Sequence, residues 1–270
     1  MVTTPAPAAS PIRFDDGAAY EQFMGVWSRL AGEEFLRWLA PEANARWADV
    51  GCGNGAFTAL LLERCAAAEV QGIDPSEEQI AFARTRFAGA AARFQRGDAM
   101  ALPWGDAAFD AAVMALVIFF VPDPPRSVAE MVRVVRPGGS VSAYAWDLLG
   151  GGFPYAMLQE EMAAIGSPPA WPPSAEASRL ETMRSLWHGA GLVDVQTHVI
   201  TVERTYADFE SFWTIARSGP RLSAAIAGMD DGKRDLFRAR LRERLAADAH
   251  GRITCSARAN AVRGRVAGSR

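Results

Sequence analysis

The chain alternates short apolar runs with helix-periodic segments between about residues 44 and 145. The apolar runs predict strands at residues 45–50, 69–73, 92–95, 111–116 and 140–145, and the periodic segments predict helices at residues 56–67, 76–87 and 126–135. Strands without a polar face are typical of a parallel sheet that helices cover on both sides. The pattern therefore predicts an α/β fold with a doubly wound, mostly parallel sheet.

The pattern becomes irregular after residue 147. Residues 148–178 contain three consecutive glycines and two Pro-Pro pairs, and we expect a structured insertion with one short helix. Beyond it, the periodicity predicts helices at residues 177–190, 208–217 and 230–247, and strands at residues 193–202 and 252–257. We expect these two strands to form an antiparallel pair at the sheet edge, with the helical excursion between them, about residues 205–250, acting as a lid together with the insertion.

Composition excludes several classes of partner. The formal charge of −3 is unlike the basic excess that holds a nucleic-acid backbone, so we expect no nucleic-acid partner. The most apolar run, residues 111–121, is about half of the ~20 residues that a membrane helix needs, so we expect no membrane span. The three cysteines are isolated, and the start of the chain lacks the pattern of a signal peptide. Reduced thiols and a cytoplasmic location are expected, and no spacing suggests a metal site.

Three glycines follow the first predicted strand in 46-RWADVGCGNGAF-57. Glycine permits a positive φ and lets a ligand approach the backbone, and the next helix points its free N–H groups at that ligand. Parallel sheets bind ligands at the carboxyl ends of their strands. The stretch therefore predicts a ligand-binding loop. Its G-x-G-x-x-A spacing also fits a nicotinamide dinucleotide, so the glycines alone do not exclude that ligand.

Further motifs follow the other strands. Asp74 ends the second strand in 71-QGIDPS-76, where a carboxylate can accept hydrogen bonds from both hydroxyls of a ribose. Asp98 lies in 97-GDAMALPW-104, after the third strand, where it can accept from the exocyclic amine of adenine. The segments 109-FDAAVMALVIFFVPDP-124 and 133-RVVRPGGSVSAYAWD-147 follow in order.

With these four motifs, the chain resembles the class I S-adenosylmethionine-dependent methyltransferases, and most closely the small-molecule branch that includes the ubiquinone/menaquinone methyltransferases. The resemblance covers about residues 45–147 and extends more weakly to residues 20–39 and 256–264. It implies a Rossmann-like methyltransferase fold with seven strands, the last of them antiparallel, and helical lid insertions. It also implies S-adenosylmethionine as the cofactor and S-adenosylhomocysteine as the product.

The resemblance implies roles for residues at the donor end of the cofactor. Asp49 and the backbone of Gly51, Cys52 and Gly53 would hold the methionine portion. Leu116 and Val117, at the end of the fourth strand, would line the floor under the methyl donor. On the N-terminal helix, Tyr20 and Trp27 are candidate contacts because aromatic faces suit a sulfonium cation, with ordinary helix packing as the alternative.

The nucleoside end would be held by the next two strand exits. Asp74 would take the ribose diol, with Pro75 and Ser76 shaping the turn. Asp98 would contact the adenine amine, and Ala99 would offer its backbone N–H to the ring.

The acceptor side has no recognisable motif. Many small-molecule relatives have a histidine just after the fourth strand, but this chain reads 116-LVIFF-120 there, so the catalytic residue is unknown. His250 is a weak candidate for a general base, while His188 and His198 are expected to be structural. Aromatic residues near the expected mouth favour an apolar or aromatic acceptor, with lid core as the alternative: Phe119, Phe120, Trp146, Phe153, Trp171, Phe209, Phe212 and Trp213.

We therefore predict a methyltransferase that acts on a small, apolar or aromatic molecule by in-line displacement. A nicotinamide-dependent oxidoreductase is one alternative, although Asp98 and the presence of a single lysine, Lys233, argue against it. A non-methylating adenosylmethionine-binding protein of the same fold is the other. The predicted organisation is a disordered lead-in (1–14), N-terminal cap helices (15–43), a cofactor-binding core (44–147), the insertion (148–178), the C-terminal part of the sheet with its excursion (179–258) and a tail (259–270).

Overall fold

The structure, a computed structural model, describes residues 21–166 and 170–268. The chain divides into two compact units. Within the described residues, the larger unit comprises residues 27–154, 171–203 and 256–268, and the smaller unit comprises residues 21–26, 155–166, 170 and 204–255. The predicted lead-in and Tyr20 lie outside the described residues. No helix in the described part of the chain is long and apolar enough to cross a membrane.

The sheet has seven strands in the order β3-β2-β1-β4-β5-β7-β6. They are β1 (Arg46–Val50), β2 (Glu69–Asp74), β3 (Ala92–Arg96), β4 (Phe109–Ala115), β5 (Val135–Trp146), β6 (Val193–Tyr206) and β7 (Ile253–Arg265). The pairs β1–β2, β1–β4, β2–β3 and β4–β5 are parallel, and β5–β7 is antiparallel. The predicted doubly wound, mostly parallel sheet with an antiparallel last strand is confirmed.

Helices connect the strands and fill the excursion. They are α1 (Val26–Leu39), α2 (Ala56–Cys65), α3 (Glu77–Arg86), α4 (Pro124–Val134), α5 (Ala156–Ala164), α6 (Leu180–Gly189), α7 (Phe209–Ala216), α8 (Pro220–Ala227) and α9 (Asp231–Arg244). A π-helical turn, Glu21–Gly25, precedes α1, and 3-10 turns occupy Ile118–Phe120 and Ala175–Ser178.

The local sequence explains α4 well. Asp123 caps the helix because its side chain accepts from the backbone N–H of Arg126 at 3.1 Å, and proline occupies the first helical turn. Val128, Met131 and Val134 recur at helical spacing and are buried. The helix covers one face of the sheet through this stripe, against the strands β4 and β5.

Three strands are several residues longer than predicted, and one of them, β6, continues to Tyr206 rather than ending at residue 202. β5 begins at Val135 rather than at residue 140, because residues 137–139 continue the strand through an irregular pairing with β4. Gly139 permits this, since a Cβ there would lie 2.6 Å from the backbone oxygen of Asp110. β7 continues to Arg265, so most of the predicted tail, 259–270, is strand: residues Ala259 to Arg265 pair with β5.

The smaller unit has an aromatic core. Phe23 and Tyr155 stack with ring centroids 4.4 Å apart, and the Tyr155 hydroxyl donates to the backbone oxygen of Phe23 at 3.0 Å. Phe209, Phe212 and Trp213 are buried beside them on α7. Of the aromatic residues expected around the acceptor mouth, these three therefore belong to the core of the smaller unit. The helix α8 was not predicted.

A buried ion network joins α5 to α9 in the smaller unit. The Glu161 carboxylate, 6% exposed, accepts from Arg240 at 2.6 Å and from Arg244 at 2.9 Å. The hydrogen bond from Arg244 is the largest cause that lowers the pKa of Glu161, and Arg240 adds to it, against the effect of burial. Because the folded pKa is depressed, this stabilisation is present above the ordinary glutamate pKa and is lost as the pH falls through the folded value.

We expect Glu161→Gln to lower the free energy of unfolding by about 2 kcal/mol at pH 7, a figure reduced from that of a fully buried pair because both arginines are partly exposed. The matched control is Glu160→Gln, which removes an exposed partner of Arg244 and should change stability by about 0.5 kcal/mol. Urea unfolding at pH 7 and pH 4 measures both. Equal effects of the two variants, or an effect of Glu161→Gln that grows towards acid pH, would contradict the account.

Candidate functional site

Asp49 is a fully buried carboxylate near the end of β1. Its Oδ2 accepts from the Thr58 hydroxyl at 2.6 Å, whereas its Oδ1 is buried with no hydrogen-bond partner among the described residues. Burial raises the pKa of Asp49 to about 7, with the charge of Asp74 adding to the shift and the Thr58 bond opposing it. A buried oxygen without a partner is costly, so the arrangement fits a donor supplied by a ligand.

The glycine loop after β1 is held tightly against β2. The backbone N–H groups of Gly51 and Cys52 both donate to the Ile73 oxygen, at 2.8 and 2.9 Å. Gly51 and Gly53 have φ values of +76° and +52°, which favour glycine. A Cβ on Gly53 would have only Gln79 Oε1 within 4 Å, at 4.0 Å, so the loop presents open backbone there.

Asp74 links this loop to the next helix. Its Oδ2 accepts from the backbone N–H of Gly53 at 3.0 Å, and its Oδ1 accepts from that of Ser76 at 2.9 Å. Ser76 in turn caps α3 by accepting from the Gln79 N–H at 3.3 Å. Burial raises the pKa of Asp74, and the two backbone bonds oppose the shift. The carboxylate is therefore oriented by the backbone and keeps lone pairs for two hydroxyl donors.

Leu116 and Val117 complete the floor of the loop. A Cβ on Gly51 would lie 2.5 Å from a Val117 methyl, so glycine is needed for the two segments to meet. Leu116 has a left-handed φ of +61°, which is unfavourable for a residue with a side chain, and its N–H donates to the Tyr144 oxygen at 2.8 Å. Backbone strain of this kind is often found at functional sites.

A pair of variants measures the strain at Leu116. In most places glycine is less stable than alanine by about 0.5–1 kcal/mol, but at a left-handed φ the order reverses. We expect Leu116→Gly to be more stable than Leu116→Ala by about 1 kcal/mol in urea unfolding. Alanine as the more stable of the two would show that this backbone conformation is not enforced by the fold.

The third strand exit is tied to the second. The Gly97 N–H donates to the backbone oxygen of Asp74 at 3.1 Å, which brings the turn containing Asp98 and Ala99 beside the loop. Asp98 is exposed, and its carboxylate accepts from the Met100 N–H at 2.8 Å. The N–H of Ala99 has no hydrogen-bond partner among the described residues. The predicted adenine contacts thus lie at the rim of the site with donor and acceptor groups to offer.

Cys52 lies in the loop but has a structural side chain. It is buried against Ile80, Ala83 and Phe94. Burial is the main cause that raises the pKa of its thiol, so the side chain is not a thiolate, and the predicted role of Cys52 rests on its backbone.

The side chain of Trp27, the other predicted cofactor contact among the described residues, makes no hydrogen bond to this cluster. Trp27 is fully buried, and its indole nitrogen has no partner in the described chain, so a contact with a cofactor would need the ring to become accessible. His250 lies in an exposed turn of the smaller unit, where its backbone N–H donates to Asp248. His198 stacks on Trp38 with ring centroids 5.4 Å apart, which agrees with a structural role. The described residues contain no group of three or more His, Cys, Asp or Glu suited to a metal.

Thr58 is a site residue that was not predicted from the sequence. This residue is fully buried in the first turn of α2 and holds Asp49 in place. The available signal was a lone hydroxyl among the apolar residues of 56-AFTALLL-62, three positions after the last glycine of the loop.

These features fit the cofactor that the resemblance implies. An ammonium group is a suitable donor to the unpaired Oδ1 of Asp49, and the open backbone at Gly53 leaves space for a ligand. Asp74 suits a ribose diol, and the Ala99 N–H suits an aromatic ring nitrogen.

Comparison with known sequences points to the same class. Residues 48–143 match the family model described as a methyltransferase domain. The chain is 35% identical over 129 residues to the O-methyltransferase cnsE of Penicillium expansum, covering 46% of each chain. It is 36% identical over 115 residues to the ubiquinone/menaquinone biosynthesis C-methyltransferase UbiE of Roseobacter denitrificans, covering 41% of this chain and 46% of that one. The chain thus spans about half the length of the curated relatives it matches.

Solved structures confirm the predicted fold. The YcgJ protein of Bacillus subtilis matches with a TM-score of 0.58 and 18% identity over 88% of this chain and 99% of that one. Phosphoethanolamine N-methyltransferase 2 of Haemonchus contortus, solved with S-adenosylhomocysteine, matches with a TM-score of 0.58 and 16% identity over 93% of this chain and 57% of that one. These structures confirm the fold, and the match to the family model identifies residues 48–143 as a methyltransferase domain.

Proposed function

We propose that this protein transfers the methyl group of S-adenosylmethionine to a small, apolar or aromatic molecule. The observation that carries the proposal is the buried Asp49, whose unpaired oxygen lies in a strand-end cluster with the open glycine loop and the backbone-oriented Asp74. The named relatives include O- and C-methyltransferases, so the acceptor atom of this chain is left open by them.

An exposed aromatic pair supports an apolar acceptor. Phe120 is 53% exposed and Trp171 is 47% exposed, which is unusual for aromatic side chains. Their segments are tied together because Ser174 donates through its N–H to the Phe119 oxygen at 3.1 Å and through its hydroxyl to the Val121 oxygen at 2.7 Å. These hydrogen bonds hold the segments that carry Phe120 and Trp171 together, directly after the floor residues Leu116 and Val117.

The bound cofactor would supply an activated methyl group, and the chain would supply alignment. Asp49, the glycine loop and Asp74 would fix the cofactor at both ends, and the apolar floor would exclude water. The segment 116-LVIFF-120 that leaves β4 contains no ionisable side chain that could remove a proton from the acceptor. The arrangement thus favours an acceptor that is ionised, or is itself a good nucleophile, at neutral pH.

The test is release of S-adenosylhomocysteine in the presence of hydroquinones, phenols and fatty acids as separate acceptor pools. We expect turnover with an apolar pool, and a loss of about tenfold in kcat/KM in Phe120→Ala and in Trp171→Ala with unchanged cofactor affinity, because each ring contributes roughly 1–2 kcal/mol of contact. Phe82→Ala, which removes an equally exposed ring on α3, is the matched control. Turnover in an apolar pool that neither variant weakens would refute the acceptor site.

A non-methylating binding protein is the second candidate. One neighbour of the same fold, with a TM-score of 0.50 and 21% identity, is named as the [4+2]-cyclase SpnF, so likeness of fold alone does not carry methyl transfer. Firm cofactor binding without product in any acceptor pool would favour this candidate.

A further inference from the structure

The strand β6 forms an open edge of the sheet. It is hydrogen-bonded to β7, which occupies one of its sides, and it ends the strand order. Two side-chain contacts show that β6 and β7 run antiparallel. Gln196 accepts from Arg263 at 2.8 Å, and nine residues further along β6 the Thr205 hydroxyl lies 2.9 Å from that of Thr254, nine residues earlier in β7. On its other side, β6 has no strand neighbour among the described residues.

This edge lacks the protection that open edges usually have. Edge strands of monomeric proteins are generally short, or carry lysine or proline. β6 has 14 residues, and residues 195–203, VQTHVITVE, contain neither lysine nor proline. Val193 and Val199 are 45% and 42% exposed, and both are among the large hydrophobic residues that the chain leaves in solvent.

One face of the strand carries a β-branched row. Val195, Thr197, Val199 and Thr201 alternate along the strand and so share a face, and the last two are exposed. The opposite face is partly covered, since His198 stacks on Trp38 of α1. A strand that paired with this edge would place its own side chains beside the exposed row, on the same face of the sheet.

The sequence of β6 is complementary to itself in the antiparallel direction. If two copies pair about a two-fold axis at Val199, Thr197 lies opposite Thr201 and Val199 lies opposite itself. The same register places Asp194 opposite Arg204 at both ends. A shift of the axis by one residue in either direction separates both charge pairs.

We propose that β6 pairs antiparallel with β6 of a second copy of this chain, over residues 195–203, to form a symmetric dimer with a continuous sheet. Asp194 has a left-handed φ of +52°, so the regular pairing ends next to it. Arg204 gives one of its five N–H donors to the Gln22 oxygen at 2.7 Å and keeps others for the Asp194 carboxylate of the second copy. This inference is independent of the proposed reaction.

A cysteine at the two-fold axis tests the register. Opposite residues of antiparallel strands have Cα atoms about 4.5–5.5 Å apart, within the range of a disulfide. We expect the full-length variant Val199→Cys, treated with diamide, to form a covalent dimer on non-reducing gels. The matched control, Thr201→Cys, lies on the same face roughly 14 Å from its own symmetry mate and should stay monomeric on the gel. The wild type shows whether the native cysteines cross-link.

Light scattering with size-exclusion chromatography tests the assembly itself. For the wild type we expect a mass twice the 29.1 kDa of the chain. For Val199→Lys we expect the dissociation constant of the dimer to rise at least tenfold, which favours the monomer. The control Phe82→Lys adds the same charge at another exposed hydrophobic position and should leave the dimer intact. A wild-type monomer at micromolar concentration, a dimer that Val199→Lys does not weaken, or equal cross-linking of the two cysteine variants would overturn the proposal.

Discussion

Asp49→Asn is expected to make the protein more stable at pH 8 while it removes most of the affinity for the cofactor. The wild-type residue is fully buried, and a rise of its pKa from 3.8 to about 7 corresponds to roughly 4 kcal/mol of unfavourable free energy for the ionised form. Asparagine is neutral and can still accept from the Thr58 hydroxyl, but it buries an unpaired amide N–H at a cost of about 1–3 kcal/mol. We therefore expect a net gain of about 2 kcal/mol.

The sign of the pH dependence follows from the direction of the shift. Because the folded pKa of Asp49 is raised, the folded state binds the proton more tightly than the unfolded state between pH 3.8 and about 7. Asp49 therefore makes folding less favourable as the pH rises through this window. Urea unfolding should show that the advantage of Asp49→Asn is about 2 kcal/mol larger at pH 8 than at pH 5.5.

Asp110→Asn is the matched control for this experiment. Although burial opposes ionisation, hydrogen bonds from the Arg46 backbone and the Arg136 side chain lower the pKa of Asp110 to about 2. Its loss should destabilise the protein at neutral pH and matter less as the pH falls towards 2. A constant stability difference for Asp49→Asn between pH 5.5 and 8 would contradict the assignment of a buried, ligand-facing carboxylate.

Asp74→Ala is expected to weaken S-adenosylhomocysteine binding by at least 100-fold. The substitution removes the acceptor for two ribose hydroxyls, and hydrogen bonds to a charged group contribute about 1.5–3 kcal/mol each. It also removes the carboxylate that holds the N–H groups of Gly53 and Ser76, so the loop loses its orientation. Isothermal titration calorimetry of the full-length protein measures the dissociation constant directly.

Asp98→Ala is the comparison for that prediction. Asp98 is exposed at the rim, so its single contact with the adenine amine should contribute about 1 kcal/mol, a loss of about fivefold. Circular dichroism of both variants separates weaker binding from unfolding. Affinity that depends more on Asp98 than on Asp74 would mean that the nucleoside is held elsewhere.

The cofactor half of the fold could be predicted from the sequence because the local signals there all indicate the same conformation. The buried strands, the three glycines after β1 and the acidic residue ending β2 each carry a local signal, and direct hydrogen bonds join them in the structure. Features that depend on packing at a distance were not readable. Thr58 is one example, because only the fold shows that it points at Asp49.

The strained Leu116 and the length of β7 are further examples. A left-handed φ at a leucine opposes local preference, and the surrounding strands impose it. The strand β7 extends past residue 258 because residues Ala259 to Arg265 pair with β5. The glycine and arginines in this segment gave no local sign of a strand. The sequence left two alternatives for the aromatic residues of α7, the acceptor mouth and a lid core. In the structure they are buried in the core of the smaller unit.

Calorimetric titration of the full-length wild type with S-adenosylhomocysteine, and with NAD as the control ligand, tests the central claim most directly. We expect micromolar binding of S-adenosylhomocysteine, lost in Asp74→Ala, and no binding heat with NAD. Binding of NAD, or no binding of S-adenosylhomocysteine, would contradict it and return the glycine loop of β1 to the dinucleotide class.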